Sequence, residues 1–321
     1  MSSTCPEACQ PGIQPTRIIA HRGASGYLPE HTAAAKILAY GLGADFLEQD
    51  VVACRDGTLV VLHDHTLDDV SNVAERYPGR ARRDGRHYVI DFSYPELAEL
   101  ELCERRASGT AALQYPGRFP YRSGQFRILP LPDEIRLIAG LNATTGRRVG
   151  VYPEIKLPAW HAAEGIDLTR LVNDCLADAR GLLTGPVFVQ CFDEAALRRL
   201  GTELECDWPL IQLLDHESTL QLARQPDRID AIADYAAGLG LPFECLLDRS
   251  ADGTPAPTVL CQRLQASGLL LHPYTLRRDV PPPAGIGYLA ALEFLIRELG
   301  VDALFCDQPD DAIRVRDGSV V

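Results

Sequence analysis

The 321 residues are 46% hydrophobic with a formal charge of −13 at pH 7. That is enough chain to bury one large core or two medium ones, and it is too acidic for a general nucleic-acid binder, which needs a basic surface to displace counterions from phosphates. No stretch approaches the roughly eighteen consecutive apolar residues of a membrane span, so a soluble protein without an integral membrane segment is expected.

The first residues, MSSTCPEACQPGIQPT, have neither the basic start nor the apolar core of a secretion signal. Residues 1–16 read as an N-terminal tail, and the expected location is cytoplasmic as the sequence stands, or periplasmic if a signal was removed. Ten cysteines are scattered singly, and Cys191 and Cys306 lie inside apolar runs, which suits small core residues better than a disulfide framework. Cys5 and Cys9 are spaced as C-x3-C without a second ligand pair, so a zinc site is not expected there. The cations are 29 Arg and only two Lys, Lys36 and Lys156. Lys36 reads as an ordinary residue on a helix surface. Lys156 ends a buried strand, where a compact ammonium suits a site.

In chain order, apolar runs predict strands near 17–21, 46–51, 59–63, 149–155, 187–191, 210–214, 269–274 and 303–306, with a weaker one at 237–241. Helical spacing predicts helices over 31–40, 132–143, 166–179, 193–203, 228–237, 257–267 and 286–299, the first of them with Pro29 and Glu30 in its opening turn. Strands alternating with helices, eight or nine times, predict a mostly parallel sheet closed as a (β/α)8 barrel, with functional residues where strands end. Between about 66 and 130 the pattern stops. From Arg76 to Arg127 ten Arg face six acids, a local positive excess inside an acidic protein. A segment this long reads as an inserted subdomain, either a solvated cap or a partial lid that attracts an anionic substrate.

Four stretches carry candidate chemistry. RIIAHRGASGYLPEHT delivers His21 and Arg22 at the end of a buried strand. In ADFLEQDVVACRDGTLVVLHDHT, Glu48 and Asp50 are two apart on a strand and share its inner face. Paired carboxylates repel unless a proton or cation lies between them, and Ca2+ or Mg2+ accepts such oxygen ligands. Asp56-Gly57 turns the chain back, so that His63 returns to the level of Asp50. His21 and His63 are equipment for general acid–base chemistry near neutral pH. In VGVYPEIKLP, Glu154 and Lys156 again share one face, Glu154 to complete the oxygen set and Lys156 to hold an anionic group. Two imidazoles, three carboxylates, an Arg and a Lys around one mouth suit a phosphodiester.

The ordered motifs HRGASGYLPEHT, FLEQDV, LVVLHDHTLDDV, YPEIK, VQCFD, HPYTLR and LFCDQPD resemble those of the bacterial glycerophosphodiester phosphodiesterases, from about residue 17 to 316. The insertion with YPGRFP resembles the larger, periplasmic-type branch. The resemblance implies a TIM barrel over 17–321 with an insertion at about 66–130, and hydrolysis of small-molecule glycerophosphodiesters such as glycerophosphocholine or glycerophosphoethanolamine to sn-glycerol 3-phosphate and an alcohol. By position it makes His21 and His63 the acid–base pair, Glu48, Asp50 and Glu154 the ligands of Ca2+ or Mg2+, and Arg22 and Lys156 the phosphate contacts. Phe192 and Tyr274 fall where a glycerol or leaving-group pocket is lined. His31 stands where many members have Asn, and no catalytic role is assigned to it.

Three other readings differ in what they require. An amidohydrolase-type metal hydrolase, suggested by His63-Asp64-His65, needs further histidines on later strands, where this chain has Gln190 and Gln212. A phospholipase D acting on lysolipids needs an apolar, membrane-facing mouth. A non-catalytic glycerophosphodiester-binding protein gains nothing from two proton-transfer groups. The preferred alcohol, the oligomeric state and which histidine is the acid are not legible.

Overall fold

The computed structural model describes residues 15–225, 227–282 and 285–318; the Cys5–Cys9 spacing and most of the N-terminal tail lie outside the described residues. Eleven strands are described: β1 (Arg17–Ala20), β2 (Phe46–Ala53), β3 (Leu59–Val61), β4 (Gly150–Ile155), β5 (Val189–Cys191), β6 (Leu210–Leu213), β7 (Gly238–Gly240), β8 (Leu247–Arg249), β9 (Pro255–Pro257), β10 (Leu270–Leu271) and β11 (Ala303–Cys306). Eight of them run parallel in the order β10-β7-β6-β5-β4-β2-β1-β11. The ring is drawn together just after β10, where the Phe305 amide donates to the Pro273 carbonyl at 3.0 Å and the Leu276 amide to the Phe305 carbonyl at 3.0 Å. The result is a (β/α)8 barrel.

Strand β3 is not part of the ring. It pairs antiparallel with β2, Val51 opposite Val61, as the Asp56-Gly57 turn requires, so the eighth barrel strand is the weakly signalled β7 and not the 59–63 run. Its register puts Leu62 opposite Asp50, the Leu62 amide donating to the Asp50 carbonyl at 2.9 Å, which carries His63 to the mouth one residue off the level expected.

Helix starts follow from short polar caps. Thr32, Asp167, Asp193, Asp215 and Thr258 each accept a backbone amide in the first turn of the helix they precede, satisfying groups that a helix start leaves unpaired. The first helix, Ala33–Leu42, therefore begins after Thr32, and Pro29 and Glu30 belong to the loop before it. Lys36 on this helix is 0% exposed. It is not a surface residue, because α-helices of a barrel press one face on the strands and Lys36 lies on that face. Helices at Pro158–Ala163, His216–Arg224 and Pro309–Arg316 were not expected, and neither was the β8–β9 hairpin. His216–Arg224 buries only Thr219 and Leu222, too thin a stripe to read from periodicity.

Inside the barrel the period of two sorts each strand into layers. Ile19, Phe46, Tyr152, Ile211, Ala303 and Phe305, with Phe188 and Tyr274 against them, fill it with one apolar cluster. Polar side chains occupy the next inward positions. Between β3 and the helix Leu131–Thr145, the chain leaves this pattern and builds its own cluster, Leu67, Val70, Val89, Phe92, Leu97, Leu100 and Ile128, against Val52, Cys54, Val60 and Leu62 of the β2–β3 hairpin, on the face that Glu48 and Asp50 share. Most arginines of this segment are in ion pairs, several with acids outside it: Arg82 with Glu164, Arg105 with Glu30, Arg118 with Asp279. The basic excess is thus not a free attracting field.

Candidate active site

The turn after β1 is set by its backbone. Arg22 and Gly23 both have positive φ, 58° and 85°. At Gly23 a Cβ would meet the Ala35 carbonyl carbon at 2.8 Å, so the helix can approach only a glycine. Arg22, a non-glycine held in this sparsely populated region, is the kind of strain that a functional site retains. The turn aims the Arg22 amide at Glu48 Oε2, 2.8 Å away, and its guanidinium at Glu30 and Asp50, with Nη1 3.0 Å from Glu30 Oε2 and Nε 3.5 Å from Asp50 Oδ2.

Glu48 and Asp50 project inward from β2 and Glu154 from β4, where the ladder places Asp50 beside Glu154. All three are buried, and each offers a carboxylate oxygen within 4.8 Å of the others. Glu48 Oε1 accepts from Gln190 Nε2 at 2.9 Å and Asp50 Oδ2 from His31 Nε2 at 2.7 Å. Lys156 Nζ lies 2.7 Å from Glu154 Oε1 and 3.8 Å from Asp50 Oδ1. Asp50 Oδ1 is buried with no hydrogen-bond donor. An all-oxygen donor set with an orphaned carboxylate oxygen fits a hard divalent cation.

The electrostatics agree. Burial, then the charges of Asp50 and Glu154, push Glu48 well above the ordinary carboxylate range. Burial lifts Glu154 to about 7, Asp50 adding to the rise and Lys156 opposing it. Burial also disfavours charge on Asp50, but Lys156 and the His31 ring outweigh it and hold its pKa well below the usual value. The trio cannot all ionise comfortably without another positive charge.

His21 and His63 face the same space, and each has a carboxylate behind it. His21 Nδ1 is 2.6 Å from Asp307 Oδ1, and His63 Nδ1 is 2.6 Å from Asp64 Oδ1. Both aspartates are held well below the ordinary range against their own burial, Asp307 by Arg277 and the His21 ring, Asp64 by its bond to His63 and by Arg105. An ionised carboxylate only accepts, so Nδ1 carries the hydrogen in both rings and Nε2 is the nitrogen left for the cavity. Burial and then Arg22 lower His21 to about 3; burial, Arg22 and Lys156 lower His63 to about 4.

The cavity, about 120 Å³, is lined by His21, Arg22, His63, Lys156, the three acids, Gln190 and Arg277, with Phe192 and Tyr274 at one side. Their rings meet edge to face at 6.2 Å, Phe192 is 45% exposed, and Tyr274 is anchored through its hydroxyl to the Leu214 carbonyl at 2.7 Å. Every residue singled out in the sequence as catalytic, ligating, phosphate-contacting or pocket-lining therefore borders this one space. Sequence reading missed Asp307, Asp64, His31 and Gln190 in supporting places. Asp64 follows His63 directly and Asp307 ends an apolar strand, but nothing in sequence couples Asp307 to His21, 286 positions away.

The Glycerophosphoryl diester phosphodiesterase family model matches residues 21–311. The chain is 36% identical to a glycerophosphodiester phosphodiesterase of Haemophilus influenzae, covering 94% of this chain and 90% of that one. It is 33% identical to one of Treponema pallidum, covering 92% and 90%. Among solved structures, an Oleispira antarctica phosphodiesterase in complex with the product sn-glycerol-3-phosphate superposes with a TM-score of 0.63 at 19% identity, over 94% of this chain and 97% of that one, a likeness of fold.

Proposed function

The chain belongs to the glycerophosphoryl diester phosphodiesterase family, and from that premise we propose that it hydrolyses glycerophosphodiesters to sn-glycerol 3-phosphate and an alcohol at the barrel mouth, by proton transfer through His21 and His63 on a phosphate held beside a divalent cation. The observation that carries this reading is the pair of imidazoles, each backed by an ionised aspartate, facing the cavity of Glu48, Asp50 and Glu154. Those three carboxylates would hold Ca2+ or Mg2+, which when bound would supply positive charge to the phosphoryl oxygens.

Arg22 and Lys156 hold the phosphate and offset the charge that grows on it in the transition state. Both cations lower the proton affinity of His63, and Arg22 that of His21. The anionic phosphodiester, once bound, opposes the Arg22 and Lys156 fields at these rings and so favours a proton on one imidazole. The other, neutral with Nε2 free, takes the proton of the attacking oxygen, and the first delivers its own to the leaving alkoxide. Phe192 and Tyr274 offer the apolar wall against which the carbon skeleton of the substrate packs. A receptor that only binds gains nothing from ionised aspartates behind two histidines.

The test is release of sn-glycerol 3-phosphate from glycerophosphocholine by purified protein, before and after chelation. Turnover that chelation removes and Ca2+ or Mg2+ restores is expected. A protein that cleaves no glycerophosphodiester with either cation refutes the reading.

A further inference from the structure

The inserted segment sends two arginines to the mouth, and each ends on the carboxylate behind a different histidine. Arg118 Nη2 donates to Asp307 Oδ2 at 2.6 Å, while Oδ1 of the same carboxylate meets His21 Nδ1. Arg105 Nη1 donates to Asp64 Oδ2 at 2.6 Å, while its Oδ1 meets His63 Nδ1. The same three-part chain of guanidinium, carboxylate and imidazole is built twice from one insertion. Both arginine side chains are buried, 4% and 10% exposed.

Each guanidinium is fixed by a second anchor. Arg118 takes Asp279 through Nε and Nη2 at 2.7 and 2.9 Å and the Ser25 carbonyl at 3.2 Å, and lies 3.6 Å from the centre of the Tyr115 ring. Arg105 takes Glu30 through Nε and Nη2 at 2.9 and 2.6 Å, and Glu30 in turn holds Arg22. A planar fork gripping two acids sets the plane of each carboxylate. A carboxylate fixed on both oxygens cannot swing, so the imidazole it holds keeps one orientation toward the cavity.

We propose that Arg105 and Arg118 are positioning residues for the hydrolysis, orienting His63 through Asp64 and His21 through Asp307; this rests on the functional reading above. The insertion is then a working part of the active site and not a cap over it. The two are unequal. Arg277 Nε also stands 3.1 Å from Asp307 Oδ2, so a cation remains there when Arg118 is lost. Asp64 has no second guanidinium among the described residues, which makes Arg105 the more costly loss. Both arginines also border a second cavity of about 220 Å³ beside His21 and His63, so direct contact with substrate is the competing role, and it has a different kinetic signature.

The experiment compares Arg105→Gln and Arg118→Gln in the full chain with cation present, on glycerophosphocholine and on the glycerol phosphodiester of p-nitrophenol, whose leaving group departs without a proton. On glycerophosphocholine each variant should lose at least about tenfold in kcat, Arg105→Gln more, because misplacing a proton-transfer group by about 1 Å is enough to do so. KM should stay within about threefold, since no ground-state contact is removed. On the nitrophenyl ester the variant behind the proton-donating histidine should recover while the other stays slow, which also reveals which histidine is the acid.

Unchanged kcat in both variants overturns the inference, as does a rise in KM alone, which means substrate contact, or a loss that is equal on the two substrates in both variants, which means a structural pair. If a Gln variant does not fold, Arg105→Lys and Arg118→Lys keep the charge and lose the fork; an intermediate kcat is expected and a wild-type kcat overturns the proposal. A wild-type chain that cleaves no phosphodiester removes the functional reading and this inference together, whereas active wild type with unaffected arginine variants removes the inference alone.

Discussion

Strand β2 has opposite electrostatics on its two faces. On the outer face Lys36 Nζ donates to Glu134 Oε1 at 2.5 Å and to the Glu48 carbonyl, and Gln49 Nε2 donates to the same Glu134 oxygen at 2.9 Å. Gln49 Oε1 then accepts the Tyr152 amide at 3.0 Å, linking β2 to β4. One ammonium faces one carboxylate, and both are 0% exposed. On the inner face three carboxylates share Lys156 and the flank of Arg22. The outer side is charge-balanced, with both donors on Glu134 Oε1 and none on Oε2, whereas the inner side is short of positive charge. The chain's two lysines, Lys36 buried and Lys156 partly buried, are both paired with a glutamate and serve different ends. Lys36 clips a helix to the barrel wall, and Lys156 stands in the mouth where an anion can reach it.

Breaking each face in turn should give opposite phenotypes. The largest effect belongs to the inner side: His21→Ala and His63→Ala should each lower kcat/KM by about 10²–10⁴-fold, the range of a lost acid or base, with the thermal midpoint retained; full activity in either variant removes it from the proposed pair. Next comes the outer side. Lys36→Met strands Glu134 in a dry site and should cost about 3–5 kcal/mol in urea unfolding, while the kcat of the folded fraction stays close to wild type. If Lys36→Met instead abolishes turnover at unchanged stability, the two faces are not separate. Asp50→Asn should do both things at once and so sharpens the contrast. It should weaken Mg2+ or Ca2+ binding by at least about tenfold by calorimetry, and lower the melting point of the cation-free protein, because the Asp50 charge, held despite burial well below its usual pKa by Lys156 and His31, stabilises the fold. Cation affinity equal to wild type would take Asp50 out of the ligand set.

The inner face of β2 was legible in sequence and the outer one was not, for a physical reason. Period-two spacing puts Glu48 and Asp50 on one side of any strand, and their apolar neighbours make that strand buried, so a crowded acidic pair follows without coordinates. Lys36 sits four residues past the helix cap in AAAKILAY, a place where lysines normally face water, and its partner Glu134 is 98 positions away. Nothing local tells a surface ammonium from a buried one. The same holds for Asp307 behind His21 and for Arg105 and Arg118. The insertion showed its arginines as a composition bias, but their pairing with barrel acids depends on tertiary approach. The barrel strands themselves were readable because each is a short apolar run bounded by turn residues, while the exposed β8–β9 hairpin and the thinly amphipathic helix His216–Arg224 lack the apolar stripe on which periodicity depends.

The smallest expected effect is on pH, and its sign separates the two kinds of titrating group in the mouth. His21 and His63 fall from 6.5 to about 3 and about 4 on folding, so below pH 6.5 the unfolded chain binds more protons and stability rises with pH up to that point. Glu154 moves the other way, from 4.5 to about 7, and Glu48 lies well above its ordinary value. For these acids the folded state holds protons that the unfolded chain has released, so stability falls as pH climbs past 4.5 toward 7 and beyond. Below 6.5 the two groups oppose each other. From pH 6.5 to about 8 the histidines contribute nothing more, and cation-free protein should lose melting temperature by a few degrees as the carboxylates are forced to ionise together. Excess Mg2+ or Ca2+ should abolish that decline, because the bound ion compensates the charge and stabilises only the folded chain. The outer pair Lys36–Glu134, already balanced, predicts no such cation response. A melting temperature that stays flat over this interval without cation, or that falls equally with it, would show that the three inner acids are not the strained, cation-seeking group described above.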